Sequence, residues 1–178
     1  EPATAGLQPV IAESADFIEP AVFEVNLKEG LTYANVNDLT SSDVKFSFDR
    51  VVSIADPSGP ASMLGNLDSV ETPDDLTVHF NLKRGDDQTF PAVLAANPGP
   101  IVDEDVCAAD EIREEQAIID AEPFAGPYVI GAYQQGELTS CAPNEDYQGL
   151  LGVPENEGVR VTHYADASNL KLGVQNGD

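Results

Sequence analysis

Two segments of the chain alternate apolar and polar residues with the period of a β-strand. Residues 22–30 read VFEVNLKEG and residues 76–85 read LTVHFNLKRG, so both end on Asn-Leu-Lys-x-Gly. A period of two places the apolar side chains of a segment on one face, and the glycine ends the strand. Because each strand has to bury its apolar face, we predict two similar, half-buried strands within one sheet.

Turn-forming residues predict two β-hairpins. Thr72-Pro73-Asp74-Asp75 separates residues 67–72 from residues 76–83, and proline followed by aspartate is typical of a β-turn. Gln135-Gly136 separates residues 128–134 from residues 137–142 in the same way. Weaker signals predict the remaining elements: an extended lead-in at 1–20, an apolar turn at Met63-Leu64, a short helix near 89–97, a brief buried strand at 101–103, a strand from Val159 to Tyr164, and a final helix capped by Asp166 or Ser168.

Residues 39–52, LTSSDVKFSFDRVV, have two interpretations. Val44, Phe46 and Phe48 alternate with polar residues, as in a half-buried strand. Thr40 and Asp43, however, have the spacing of a capping box, and apolar residues at 44, 48, 51 and 52 have the spacing of one helix face. Periodicity alone leaves both structures open, within a fold class that is mixed α/β (α+β).

The charge of the chain excludes some kinds of partner. Eight basic residues against thirty-two acidic residues give a formal net charge of −24. Nucleic acids and anionic membranes are bound through clusters of lysine and arginine, and the chain has none. We interpret the acids as a solvated, self-repelling surface that suits a salty habitat. Steering of a cationic ligand and weak binding of divalent cations are the alternatives.

No arrangement of residues indicates catalysis, a metal site or a cofactor. The chain has no nucleophile elbow, phosphate-binding loop, dinucleotide fingerprint or zinc-protease motif, and His79 and His163 both fall in predicted strands. The two cysteines, Cys107 and Cys141, are too few for a zinc site. They are either joined in a disulfide in an oxidising compartment or are two free, half-buried thiols. The residues alone indicate a non-enzymatic α+β protein.

A series of segments in a fixed order resembles one protein family. The segments are LQPVIAES, VFEVNLKEGLTY, LTSSDVKFSFDRV, DSVETPDDLTVHFNLK, GPYVIGAYQQGE, NEDYQG and HYADASNLKLGVQNGD. This order is similar to that of the oligopeptide/dipeptide-type extracellular solute-binding proteins of ABC importers, particularly those of actinobacteria. The corresponding segment of that family is a capped helix, so the resemblance implies a helix from about Ser41.

The resemblance implies a bilobed, type II periplasmic-binding-protein-like fold with a mixed sheet, hairpins and short helices. Residues 1–178 would be a fragment of the first lobe, with 20–155 as a small subdomain, 156–178 as the start of the return to that lobe, and the second lobe absent. The protein would be secreted or lipid-anchored, act as a monomer without a cofactor, and deliver a peptide or similar solute to a membrane permease. A free-standing acidic cell-surface or calcium-binding module is the alternative.

Two departures from the family pattern concern function. The family has a His-Asp-Gly-like turn where this chain reads YANVND. Peptide binders often have Ser-Pro-Tyr-Ala-Ser after the first helix, where this chain has Ser58-Gly59-Pro60-Ala61-Ser62. If this loop faces the cleft, Ser58, Pro60, Ala61 and Ser62 contact the ligand through a hydroxyl and a proline face rather than an aromatic ring. The other interpretation is a plain connecting loop.

Overall fold

The computed structural model describes residues 6–150 and 152–177. The elements in chain order are β1 (Ala12–Glu19), β2 (Val22–Leu27), α1 (Ser41–Ile54), a 3₁₀ turn (Pro60–Leu64), β3 (Leu67–Asp74), β4 (Thr77–Leu82), α2 (Phe90–Leu94), α3 (Glu115–Ala121), β5 (Tyr128–Gln134), β6 (Leu138–Pro143), β7 (Val159–Thr162) and α4 (Ala167–Asn176). Among these residues no helix has both the length and the apolar character needed to cross a membrane.

The first sheet has the order β1-β2-β4-β3 and is antiparallel throughout. The two segments ending on Asn-Leu-Lys-x-Gly form its two central strands, with Phe23 opposite Phe80 and Val25 opposite Val78. All four side chains are buried. The prediction of two similar strands in one sheet is therefore confirmed, and their apolar faces form the centre of the core.

Strand β1 covers one edge of this sheet, where the sequence predicts only an extended lead-in. Residues 1–5 of that lead-in lie outside the described residues. Ala12 begins the strand and is buried, but most of the residues that follow are exposed, and the pairing with β2 shifts register twice. An edge strand with this little burial needs no regular alternation, so the periodicity does not reveal it.

The β3–β4 hairpin forms as predicted, with its turn two residues later than expected. Residues 75–76 make the turn, and the Asp74 carboxylate accepts hydrogen bonds from the backbone N–H groups of Leu76 (3.0 Å) and Thr77 (2.9 Å). Pro73 lies within β3 instead of in the turn. β3 is an edge strand, where the missing N–H of proline costs no ladder hydrogen bond.

Residues 41–54 form helix α1, so the helix interpretation of residues 39–52 is correct and the strand interpretation is wrong. The Asp43 carboxylate accepts the backbone N–H of Thr40 at 2.8 Å, as the capping-box spacing predicts. Val44 and Phe48 are buried, whereas Phe46 is half-buried on the flank of the apolar stripe. The Phe48 ring meets the Phe80 ring edge-on at 4.9 Å, which joins α1 to the sheet.

The second sheet has the order β5-β6-β7 and contains the second predicted hairpin. The strand predicted at residues 101–103 is wrong, because the backbone there pairs with a side chain: the N–H of Val102 donates to Ser47 Oγ at 3.0 Å. Asp166, not Ser168, caps α4 by accepting two backbone N–H groups. The α+β fold class is confirmed, but the strand pairings among the described residues are all antiparallel, so the expected mixed sheet is not seen there.

Candidate ligand-binding site

The loop after helix α1 is shaped by local hydrogen bonds. Ala55 ends the helix with a φ of 47°. Asp56 then folds the chain back: its Oδ1 accepts the N–H of Ser58 at 2.6 Å and its carbonyl accepts the N–H of Gly59 at 2.9 Å. A Cβ at Gly59 would lie 3.2 Å from the Asp56 Cβ, so the close turn favours glycine there. Pro60 then begins the 3₁₀ turn, a position where its missing N–H costs nothing.

A pocket of about 350 Å³ lies between this loop and the last turns of α1. Its lining residues are Arg50, Val51, Ile54, Asp56, Ser58, Gly59, Pro60, Ala61 and Ile112. Three of the four predicted ligand contacts, Ser58, Pro60 and Ala61, line the pocket, whereas Ser62 is exposed and does not. The loop thus borders a concave site, and ligand contact by these residues stays a prediction.

Arg50 joins the pocket to a distant part of the chain. Its Nε donates to the carbonyl of Ala108 at 2.7 Å and its Nη2 donates to the carbonyl of Glu111 at 2.8 Å. These bonds hold the segment before α3 against the helix and bring Ile112 to the pocket wall. Sequence reasoning missed Arg50 and Ile112, because about sixty residues separate them and no local pattern links the two.

A larger cavity of about 770 Å³ lies on the apolar side of the first sheet. Its walls are formed by residues 7–11, by strands β1, β2 and β4, by Leu39 and helix α1, by the segment 91–101 and by residues 124–126. Apart from Gln8, all its lining residues are either glycine or have apolar side chains. The alternation in β2 predicts this buried face, but no sequence signal indicates that space remains beside it.

A buried polar cluster fastens three segments together beside α1. Asp103 is buried, and its Oδ2 accepts hydrogen bonds from the side-chain amides of Asn35 (2.7 Å) and Asn37 (2.8 Å). Asp43, also buried, accepts the backbone N–H of Glu104 at its Oδ1 (3.0 Å). These bonds hold the turn after β2 and the segment after α2 against the start of α1.

The turn YANVND belongs to this cluster and shows the effect of its departure from the family pattern. Its two asparagines bind a buried carboxylate, which is a structural role. Val36 has a φ of 65° and is 70% exposed, in a backbone region that favours glycine. Burial, followed by the nearby carboxylates of Asp43 and Asp103, raises the pKa of Tyr33, so its phenol stays protonated.

The histidines and cysteines do not assemble into a reactive site. His79 lies on β4 and its Nε2 is 2.9 Å from Glu24 Oε2 on the neighbouring strand. Hydrogen bonds from Asn26 and then from His79 lower the pKa of Glu24. Cys107 and Cys141 are both unpaired and half-buried in the structure, and burial raises the pKa of the Cys107 thiol. Within residues 6–150 and 152–177, no group of three or more histidine, cysteine or acidic side chains could hold a metal ion.

Comparison with known sequences identifies the family. Residues 6–178 match the profile described as "Bacterial extracellular solute-binding proteins, family 5 Middle". The chain belongs to this family. This confirms the resemblance that the ordered segments indicate, and it does not favour a free-standing acidic or calcium-binding module.

Two curated relatives show how much of the family's length is present. The oligopeptide-binding protein AppA of Bacillus subtilis is 28% identical over 173 residues, which cover 94% of this chain and 31% of AppA. The "Probable D,D-dipeptide-binding periplasmic protein DdpA" of Escherichia coli is 28% identical over 161 residues, covering 85% of this chain and 29% of DdpA. The chain therefore spans about a third of the length of the curated relatives it matches.

Solved structures share the fold of this chain. NikZ from Campylobacter jejuni, in complex with Ni(L-His), matches 97% of this chain and 34% of its own length, with a TM-score of 0.81 at 21% identity. AppA from Bacillus subtilis, in complex with a nonapeptide, matches 94% of this chain and 33% of its own length, with a TM-score of 0.76 at 24% identity. The fold is thus that of part of a type II periplasmic binding protein.

Proposed function

We propose that this chain is part of the extracytoplasmic solute-binding component of an ABC importer, which captures a peptide or similar small solute and delivers it to a membrane permease. The family match over residues 6–178 is the observation that carries this proposal. The peptide as solute class is supported by the names of AppA and DdpA. The pocket of about 350 Å³ beside α1 is where we expect part of the solute to bind.

Residues 1–178 are, in this proposal, a fragment of the first lobe of a bilobed protein. Residues 20–155 make a small subdomain, 156–178 start the return to the first lobe, and the second lobe, which is not among these residues, closes over the solute. The length of the relatives, about three times that of the matched segment, supports this division. Closure of two lobes around a pocket would trap the solute.

The proposed ligand contacts are Ser58, Pro60, Ala61 and Ser62. They would offer a hydroxyl and an apolar proline face, in place of an aromatic ring. The protein would bind its solute without catalysis, as a monomer that is secreted or lipid-anchored at the cell surface. Such an oxidising compartment would permit a disulfide between Cys107 and Cys141, which are both unpaired in the structure.

Isothermal titration calorimetry tests this function. The full-length gene product and the 178-residue chain are each titrated with a mixture of two- to nine-residue peptides. We expect the full-length protein to bind and the chain alone to bind much more weakly, because part of the pocket wall would be missing. Equal, tight binding by the chain alone would contradict the division into lobes. No binding of any peptide by the full-length protein would contradict the function itself.

A further inference from the structure

The polar cluster beside α1 contains two buried carboxylates without a basic partner. Asp43 and Asp103 are both buried, and in the described part of the chain neither forms an ion pair with a lysine, arginine or histidine. The arginines of this region, Arg50 and Arg113, donate instead to backbone carbonyls within residues 106–111. Because buried charges are normally paired, the cluster has an excess of negative charge that the protein itself does not offset.

Neutral donors satisfy each of the two carboxylates only in part. Each accepts three hydrogen bonds, two at Oδ2 and one at Oδ1, and every donor is a backbone N–H, a side-chain amide or a hydroxyl. The single bonds at Oδ1 come from consecutive backbone N–H groups, that of Glu104 to Asp43 (3.0 Å) and that of Asp105 to Asp103 (2.8 Å). A carboxylate has about four lone-pair positions, so about one remains on each Oδ1, and both Oδ1 atoms lie at the same short stretch of backbone.

A third oxygen of the cluster lacks a partner altogether. Tyr33 is 0% exposed, and its hydroxyl is the one buried side-chain nitrogen or oxygen of the described chain that forms no hydrogen bond. After burial, the charges of Asp43 and Asp103 raise the pKa of Tyr33, so the hydroxyl lies beside both carboxylates. Asp43 is close enough to act on it as an acceptor would, but the two groups form no hydrogen bond of normal geometry. A buried, unpaired hydroxyl is costly, and its position beside two anions indicates a ligand.

The three oxygens have the chemistry of a site for a hard cation. Alkali and alkaline-earth ions bind to carboxylate, hydroxyl and carbonyl oxygens and to water. The set differs from the sites of transition metals, which use three or more histidine, cysteine or acidic side chains, a grouping that residues 6–150 and 152–177 do not contain. A net charge of −24 also raises the concentration of cations around the chain.

We infer that this cluster binds one hard cation, with Asp43 and Asp103 as anionic ligands and Tyr33 as a neutral ligand. Sodium, potassium and calcium share this chemistry. The ion joins three segments that the neutral hydrogen bonds already hold together: the turn after β2, the start of α1 and residues 103–105. The inference concerns a site away from the pocket proposed for the solute and does not rest on the proposed function.

Thermal unfolding of the full-length gene product distinguishes the three ions. N-methylglucamine chloride, whose cation is too large for a buried site, is kept at about 1 M, where the screening length of about 3 Å removes the effect of exposed charges. Sodium, potassium or calcium chloride then replaces part of it at constant ionic strength. We expect one of the three ions to raise Tm by several degrees, because a ligand that binds only the folded state stabilises it. The ion that does so is the ligand.

Two matched variants test the role of the phenol. Tyr33→Phe removes the hydroxyl and keeps the ring, so we expect that an ion concentration at least about tenfold higher is needed for the same Tm shift. In N-methylglucamine chloride alone its Tm should not fall, because a buried, unpaired hydroxyl has been removed. Tyr128→Phe makes the same substitution at an exposed position, where the hydroxyl donates to Asn156 at 3.1 Å, and should leave the ion-dependent shift unchanged.

Two outcomes would overturn the inference. One is an equal Tm of the unmodified protein in all four salts, which is expected if the Tyr33 hydroxyl binds only water. The other is an ion-dependent shift that Tyr33→Phe retains in full, which would place the ion elsewhere. Peptide titration of the same protein is a separate measurement, so the proposed function stands or falls independently of either result.

Discussion

Replacement of Asp43 by alanine tests whether one carboxylate fastens helix α1 to the segment after α2. The side chain is 4% exposed and accepts three hydrogen bonds. Oδ2 accepts the backbone N–H of Thr40 at 2.8 Å and its hydroxyl at 3.3 Å. Oδ1 accepts the backbone N–H of Glu104, 61 residues away, at 3.0 Å. The residue thus acts locally at the helix start and over a long range in the core.

The magnitude follows from the groups left without a partner. Loss of the capping-box hydrogen bonds from Thr40 to Asp43 costs about 1 kcal/mol. Loss of a negative charge in the first turn costs about 0.3–1 kcal/mol. The N–H of Glu104, left without its acceptor, costs about 1–3 kcal/mol. We expect the free energy of unfolding to fall by about 3 kcal/mol, which for a chain of this size lowers Tm by about 6–12 °C.

Asp49→Ala is the matched control, because it makes the same substitution on the same helix. Asp49 has a side chain that is 54% exposed and pairs with Lys45 at 2.6 Å. An exposed pair of this spacing contributes about 0.3–0.5 kcal/mol. Urea unfolding followed by circular dichroism measures both variants. Similar losses in the two variants, or a loss below about 1 kcal/mol for Asp43→Ala, would refute the reasoning.

Three further predictions concern backbone strain, salt and acid. Val36→Gly should raise the free energy of unfolding by about 0.5–1 kcal/mol in urea, because a left-handed backbone costs a non-glycine residue about 1–2 kcal/mol and the added freedom of the unfolded chain offsets part of the gain. Val36→Ala keeps a side chain at the positive φ of 65° and should gain less, so equal gains in the two variants would contradict a strained turn. Raising KCl from 0.1 M to 1 M should increase Tm by several degrees, since the screening length falls from about 10 Å to about 3 Å around a chain of charge −24. Sucrose of equal osmolality should not reproduce the full shift, and an unchanged Tm in KCl would exclude repulsion between the acidic side chains as a determinant of stability. Hydrogen bonds from Thr89, and then from Asn66, lower the pKa of Asp87 from its ordinary value of 3.8, so its contribution to stability is present above about pH 4 and is lost as pH falls through the lower, folded-state value. Asp87→Asn should therefore flatten the decrease of Tm below pH 4, and an unaltered acid limb would count against this assignment.

The elements that the sequence predicted well are those in which local periodicity and burial agree. Strands β2 and β4 have one buried face each, so their alternation survives in the structure. Helix α1 is decided by its first turn, where Thr40 and Asp43 form a contact three residues apart. The predictions that were wrong depend on long-range contacts. The backbone of Val102 bonds to a serine side chain on α1 and so forms no strand.

In the candidate site, too, the part that depends on neighbouring residues was predicted and the part that depends on long-range contacts was not. The loop of residues 58–62 was identified from its resemblance to the Ser-Pro-Tyr-Ala-Ser loop of peptide binders, and its turn depends on the local bond between Asp56 and Ser58. Arg50 and Ile112 were not predicted, because the wall they form depends on hydrogen bonds from the helix to a segment about sixty residues away.

The sequence by itself determined the central strand pair and the acidic surface, because periodicity and charge are properties of neighbouring residues and of composition. It determined the family and the first helix through the ordered segments that resemble the family. The tertiary structure alone decided the edge strand β1, the burial of Asp43 and Asp103 in one polar cluster, and the two cavities. These features depend on which distant groups meet. A carboxylate in the sequence is the same symbol whether it lies in water, as Asp49 does, or is buried and holds two segments together, as Asp43 does.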